Sequence, residues 1–314
     1  MVPDAMSRLT RSLLFVPGSR PAMMAKGAAS DADAVCLDLE DGVAPSEKAV
    51  SRGAVVHALN TLDFGGKARL VRINGLDTEW AYRDLVEVVE GAGERIDLIM
   101  LPKASSAHDV AFVDTMLTQI EAHCRISRWI GIEAQIESAQ GYVNLREIGR
   151  ASRRLEALVL GPGDYAASMR MPATAIGELD ESDALYPGHR YHAVMHEIVA
   201  VARANGLRAV DGPYSAYKDA AGFERSCRIA RAMGFDGKQC IHPSQLGPAN
   251  ALFGPTADEV AKATAVVEAF EAAIAAGHGA ASHEGRMIDA ASLRMARTIL
   301  DRHERGTVGK RSKS

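Results

Sequence analysis

Short apolar runs recur along this chain, each followed by a longer stretch with apolar residues at helical spacing. The runs are "SLLFV" (12–16), "AVCLDL" (34–39), "ARLVRI" (68–73), "DLIML" (97–101), "WIGIEAQI" (129–136), "LEALVL" (155–160), "LRAVD" (207–211) and "KQCI" (238–241). They are short and continuously apolar, as expected of strands covered on both faces. The intervening segments read as helices. Residues 45–60 open with Pro45-Ser46, a helix-start signal. Residues 105–123 carry Val110, Val113, Leu117 and Ile120 along one face. Residues 192–206 end at Gly206, a C′ glycine, and residues 222–234 precede the eighth run.

Strand and helix alternating through eight periods predict an α/β fold, a (β/α)₈ TIM barrel. An open doubly wound sheet is the rival, but no GxGxxG follows the first run. The barrel is expected over residues 1–254. Residues 255–314 form a helical extension: an Ala-rich helix, a flexible link from Gly277 to Gly285, a last helix and an unstructured tail, "TVGKRSKS". A Pro/Gly/acid-rich insertion, residues 169–189, follows the sixth run and is expected to lie over the site.

Composition narrows the function. The 314 residues are 47% hydrophobic and 24% charged, with a formal net charge of −4. This suits a soluble globular chain and gives no reason to expect nucleic-acid or anionic-membrane binding. The first residues lack the apolar core of a secretory signal, and no run approaches the ~20 apolar residues of a membrane span. Cys36, Cys124, Cys227 and Cys240 are scattered, with no CxxC. They read as free thiols in a reducing, cytoplasmic setting.

In a barrel of this kind the site lies at the carboxyl ends of the strands. The polar residues there are Arg20 after run one; Asp38, Glu40 and Asp41 after run two; Arg72 and Asn74 after run three; and Lys103 after run four. Then come Glu137, Asp164, Asp211 and His242. Lys103 and Asp211 read equally well as structural. Glu137 and Asp164 end adjacent strands, and two carboxylates brought together need neutralising. A hard divalent cation does this, keeping its other positions for water and substrate. A dyad sharing one proton is the alternative. The neighbouring acids Asp38, Glu40 and Asp41 favour the metal, since they can hold its waters. Arg72 can fork onto a substrate carboxylate or a developing oxyanion, or bridge to Asp38 or Glu40. Arg20 and Lys26 can bind phosphate or form a solvated helix face.

At these residues the sequence resembles the citrate lyase β-subunit / malyl-CoA lyase (HpcH/HpaI aldolase) family, most closely its malyl-CoA/β-methylmalyl-CoA branch. The matching blocks are "LLFVPGSRPAMMAK", "CLDLEDGVAPSEK", "VRINGLDT", "IMLPKASSA", "IESAQG", "LGPGDYAAS", "KQCIHPSQL" and "GRMIDAAS". The resemblance implies a TIM barrel, bound Mg²⁺ (with Mn²⁺ as substitute) and a CoA-thioester substrate. It makes Glu137 and Asp164 metal ligands and Arg72 the grip on substrate oxygens. It puts Phe15, Arg20, Lys26, Gly163, Asp164, Ile241 and His242 along the CoA and acyl part. It also makes Asp289 a catalytic acid on a C-terminal segment that closes as a lid over a neighbouring subunit, in a homotrimer or hexamer. The implied reaction is reversible aldol/Claisen-type cleavage of (S)-malyl-CoA or β-methylmalyl-CoA to glyoxylate plus acetyl- or propionyl-CoA. Citramalyl-CoA or citryl-CoA cleavage, a malyl-CoA thioesterase, a CoA-independent aldolase and a non-catalytic scaffold subunit are the alternatives.

Overall fold

The computed structural model describes residues 5–172, 175–181, 183, 189–283 and 285–311. All eight apolar runs form strands: β1 (Ser12–Pro17), β2 (Ala34–Asp38), β3 (Ala68–Arg72), β4 (Leu98–Leu101), β5 (Gly131–Ile136), β6 (Leu155–Leu160), β7 (Arg208–Asp211) and β8 (Gly237–Cys240). They pair in parallel in sequence order and close through β1 and β8 into a barrel. The fifth strand starts two residues later than its apolar run, because Trp129 lies outside it with its ring against the Arg154 guanidinium, 4.1 Å away.

Parallel neighbours need crossovers, and helices supply them. These are α1 (Pro21–Ala28), α2 (Lys48–Thr61), α3 (Ala81–Ala92), α4 (Ala107–Cys124), the short α5 (Ala139–Val143) and α6 (Leu145–Ile148), α7 (Pro162–Ser168), α8 (His192–Ala204) and α9 (Ala220–Met233). The predicted face of α4 is the buried one: Val110, Val113, Leu117 and Ile120. Its start is fixed by a capping box in which Ser106 and Asp109 satisfy each other's amides.

The barrel interior follows strand parity. Leu13, Cys36, Leu70, Met100, Val159 and Val210 form its apolar filling, with Phe15 packed on top. Two residues further along a strand the same face is met again. The parity of Cys36 therefore delivers Asp38, and that of Leu70 delivers Arg72, to the carboxyl-end mouth. The opposite end is closed by charge. Arg208 pairs with Glu133 at 3.0 Å and Glu156 at 3.2 Å, and Arg8 pairs with Glu156 at 3.0 Å.

The chain divides into two compact units, Met1–Asn250 and Ala251–Ser314. After α10 (Leu246–Phe253), the second unit contains α11 (Ala257–Ala275), capped by Thr256 and Glu259, and α12 (Ala290–Arg311). Two expectations are corrected here. The segment from Gly277 to Gly285 is not a bare link, since Ala281–His283 pairs antiparallel with Arg286–Ile288 as β9 and β10. Gly285, at φ 74°, supplies the left-handed backbone beside the turn. The tail is not unstructured from residue 307. With no proline to stop it, α12 runs on to Arg311, and residues 312–314 lie outside the described residues. Of the 169–189 insertion, residues 173–174, 182 and 184–188 also lie outside them. No helix among the described residues is long and apolar enough to cross a membrane.

Candidate active site

A cavity of about 450 Å³ opens at the carboxyl ends of the strands. Phe15, Asp38, Asp41, Arg72, Gln135, Glu137, Gly161, Gly163, Asp164, Ile176, Gln239 and Ile241 are among its walls. With Pro213, which follows β7, residues from seven of the eight strand ends meet at one place.

Arg72 and Asp38 form its most rigid part. Arg72 Nε donates to Asp38 Oδ1 and Nη2 to Oδ2, each at 2.7 Å. Asp38 also accepts from the amides of Glu40 and Gly42, both at 2.9 Å. Burial drives the Asp38 carboxyl upward, but the guanidinium and the two amides outweigh it and hold the group below the usual carboxylate range. Arg72 Nη1 lies 2.8 Å from Glu40 Oε2, and the guanidinium sits 5.0 Å from the Phe15 ring centroid. The second hydrogens of Nη1 and Nη2 remain for a ligand in the cavity. Arg72 therefore bridges the β2 acids, the structural one of its two sequence readings, and also lines the pocket.

Glu137 is the unusual carboxylate. It is 3% exposed, and both oxygens are held by neutral donors. The Lys103 amide reaches Oε1 at 2.7 Å, and Gln135 Nε2 donates to Oε2. Gln239 Nε2 supports Gln135 from behind at 3.2 Å. Burial pushes the Glu137 carboxyl up to about 8. The charges of Glu40 and, more weakly, Asp164 add to the rise, while Arg72 and the Lys103 amide oppose it. Gly161 makes room for this side chain: a Cβ there would come within 2.2 Å of Glu137 Oε2. Asp164 arrives from the first turn of α7, where Pro162 starts the helix directly after β6.

Lys103 joins these acids. Its backbone is left-handed, φ 50°, and its Nζ lies 2.7 Å from Glu40 Oε1 and 3.8 Å from Asp164 Oδ2. Glu40 is buried, and its burial raises its carboxyl against the pull of Arg72 and Lys103. Around one mouth stand Asp38, Glu40, Asp41, Glu137 and Asp164, five acids facing Arg72, Lys103 and buried Lys48, whose Nζ is held by the Leu39 and Glu40 carbonyls behind the β2 acids. A desolvated carboxylate held by neutral donors, beside a second carboxylate and excess negative charge, suits a hard divalent cation. Among the described residues no three His, Cys, Asp or Glu converge as a protein-only metal cage. That is the donor set Mg²⁺ accepts when water and substrate complete its shell.

The remaining expected residues fall in three places. Phe15, Gly163 and Ile241 line the cavity, with Ile176 of the insertion against Gly163. Arg20 and Lys26 are exposed at the start and end of α1, Arg20 lying 3.5 Å from Glu47. His242 is half-buried, stacked on Tyr217 at 4.6 Å between ring centroids. Its Nδ1 caps the turn that follows β8. Asp289 belongs to the second unit, is exposed, and caps α12 by accepting from the amides of Ala291 and Ser292. Those bonds hold its carboxyl below the ordinary value. Of the two ambiguous residues, Asp211 ends β7 but does not line this cavity and pairs with buried Lys238. Sequence reading placed Lys103 at the mouth without deciding between a functional and a structural part, and gave no role to Gln135, Gln239 or Gly161. For Gln135 the signal was its position two residues before Glu137, on the same strand face.

Over 308 residues the chain is 44% identical to the L-malyl-CoA/beta-methylmalyl-CoA lyase of Cereibacter sphaeroides (strain ATCC 17025 / ATH 2.4.3), covering 96% of this chain and 97% of that one. It is 37% identical over 294 residues to a (3S)-malyl-CoA thioesterase of Cereibacter sphaeroides (strain ATCC 17029 / ATH 2.4.9), 94% of each chain. Among solved structures, CitE of Mycobacterium tuberculosis in complex with magnesium, acetoacetate and coenzyme A superposes with a TM-score of 0.75 at 30% identity, covering 95% of this chain and 99% of that one. The HpcH/HpaI aldolase/citrate lyase signature spans residues 11–243, from the first residues of the barrel to just past β8. With barrel, mouth and relatives in agreement, the chain belongs to the HpcH/HpaI aldolase/citrate lyase family.

Proposed function

We propose that this enzyme is a divalent-metal-dependent carbon–carbon lyase that reversibly cleaves (S)-malyl-CoA or β-methylmalyl-CoA to glyoxylate and acetyl- or propionyl-CoA. The observation that carries this reading is the pairing of buried Glu137 with Asp164 beside a forked Arg72 in one cavity. The full-length likeness to a malyl-CoA/beta-methylmalyl-CoA lyase selects the substrate class.

Glu137 and Asp164 would hold Mg²⁺, or Mn²⁺ in its place. The bound cation supplies Lewis-acid polarisation of the oxo-acid end. Arg72, pinned by Asp38, directs its remaining N–H groups at oxygen that becomes negative as the bond breaks. Such donors help most when they need not reorganise. Phe15, Gly163 and Ile241 give the acyl chain apolar walls that exclude water. Arg20 and Lys26, exposed on α1, suit the phosphates of CoA, with His242 on the same route. Asp289, exposed on the C-terminal unit, is assigned the proton at the thioester α-carbon of a neighbouring subunit's substrate. This requires a homo-oligomer with shared sites, a trimer or hexamer. Buried, unpaired Cys36, Cys227 and Cys240 fit a reducing cytoplasm.

The thioesterase relative supports a second reading, in which malyl-CoA is hydrolysed. One assay separates the two. Malyl-, β-methylmalyl-, citramalyl- and citryl-CoA are incubated with enzyme and Mg²⁺, and free CoA and acyl-CoA products are quantified. Glyoxylate with acetyl- or propionyl-CoA is the expected result, lost on chelation and in Glu137→Gln. Direct release of free CoA without acetyl-CoA overturns the lyase in favour of the thioesterase.

A further inference from the structure

A second cavity, of about 230 Å³, lies outside the barrel wall, between β6–β8 and helices α8 and α9, with Gly177 and Leu179 of the insertion at its rim. It shares only Pro162 and Pro213 with the catalytic cavity. Strand parity separates the two. On β8, Gln239 faces the catalytic cavity, so its neighbour Lys238 faces the outer one, together with its register partner Asp211 of β7. Nothing in the reaction proposed above uses this space.

Much of its wall is apolar, including Leu160, Met195 and Ile229. A few polar groups stand among them, the usual make-up of a small-molecule site. His189 is one of these. It is buried, and its Nδ1 accepts from the Tyr191 amide at 3.3 Å. Burial lowers its pKa and favours the neutral ring, whose one proton must then sit on Nε2. That nitrogen is buried and has no hydrogen-bond partner among the described residues. A donor buried without an acceptor is costly, and folded proteins keep few of them.

Other donors are also to spare. The Lys238 ammonium carries three hydrogens, and Asp211 Oδ2 accepts one of them. Arg225 adds a guanidinium from the exposed side of α9. The two acids of the cavity are already engaged. Asp211 holds Lys238, and Asp219 accepts from the Tyr214 hydroxyl at 2.7 Å and from the Gly222 amide at 3.0 Å. Spare donors therefore outnumber spare acceptors, which suits a ligand that brings acceptors of its own. An apolar cavity of about 150 Å³ already takes benzene, so this one has room for roughly six to ten non-hydrogen atoms.

We infer that this cavity is a second binding site, distinct from the catalytic one, for a small monocarboxylic acid. The carboxylate is received by His189, Lys238 and Arg225, and the hydrocarbon part packs against Met195 and Ile229.

The test uses the full-length chain with a chelator present, isovalerate as probe and isovaleramide as its uncharged isostere. Titration calorimetry should show one saturable site for isovalerate, and the amide should bind at least about ten-fold more weakly. His189→Phe keeps a ring and removes the N–H, and Arg225→Gln removes the outer cation from an exposed position. Each should weaken isovalerate binding several-fold. Leu179→Trp fills the cavity from its rim with every polar group in place, and should abolish binding. Arg72→Lys should bind the probe as wild type does, since only a carboxylate lodged in the catalytic cavity would depend on the Arg72 fork. Absence of saturable binding overturns the inference, as does equal affinity for the amide. So does isovalerate binding unchanged in Leu179→Trp, or in both His189→Phe and Arg225→Gln. Loss of binding in Arg72→Lys would put the probe in the catalytic cavity and overturn it too.

Discussion

Arg72 and Asp38 are register partners on β3 and β2 and are joined side chain to side chain by two hydrogen bonds of 2.7 Å. The barrel's own pairing thus places a guanidinium and its carboxylate edge to edge, already forked, before any ligand arrives. Arg72→Lys retains the charge and loses the fork, and lysine is no substitute where geometry matters. We expect it to lower kcat/KM by ~10²-fold or more, mainly through kcat if the contact strengthens as the bond breaks. Asp38→Asn should act more mildly, because the amide oxygen still accepts one bond. A kcat/KM in Arg72→Lys within a few-fold of wild type would remove Arg72 from the reaction.

Gly161 and Glu137 are a matched pair of another kind. The Cβ that any other residue brings to position 161 would lie 2.2 Å from Glu137 Oε2. Gly161→Ala should therefore displace the carboxylate while leaving the ring of acids otherwise intact. Metal affinity should fall about ten-fold or more, with far-UV circular dichroism unchanged. Wild-type Mn²⁺ affinity in this variant would show that Glu137 is not held where the cation needs it.

The barrel was legible from periodicity because a continuously apolar run of four to six residues can be satisfied only between two covered layers. Asp38, Arg72, Glu137 and Asp164 were legible because a polar residue ending such a run has one place to go. The place of Lys103 at the mouth was legible by the same rule, but not its partners, which depend on a left-handed turn that the composition of "LPKAS" does not announce. Nor were Gln135 and Gly161. A buried amide reads as strand interior and a glycine as a break until Glu137 is seen between them. The β9–β10 pair was missed for the opposite reason: strands of three residues are shorter than the runs that periodicity detects.

The closed end of the barrel makes a prediction about stability. Arg208 is fully buried and pairs with both Glu133 and Glu156, and Glu133 has no exposure at all. Arg208→Met would leave both carboxylates without their shared cation. Breaking a buried pair by removing one partner costs ~3–5 kcal/mol. The triple change Arg208→Met, Glu133→Met, Glu156→Gln should recover much of that loss. Chemical denaturation measures both. A single variant as stable as wild type would mean that Arg208 does not neutralise these acids.

Asp97 at the same end links stability to acid. It lies 2.9 Å from Arg69 Nε and also pairs with Arg128 and, at 3.7 Å, with Arg8. Burial raises its carboxyl, but the hydrogen bonds and charges of Arg69 and Arg128 outweigh that and hold it below the model-peptide value of 3.8. A carboxyl depressed in the folded state contributes stability that is complete above its unfolded pKa. That stability is lost as pH falls through the folded one. The contribution of Asp97 should thus be whole at pH 7 and fade below about pH 4. Asp97→Asn should lower the denaturation midpoint at pH 7, and the gap between variant and wild type should narrow steadily on acidification below pH 4. Midpoints measured from pH 7 to pH 2.5 check this. A gap that stays constant, or widens in acid, would mean that the arginines do not stabilise the charged form of Asp97.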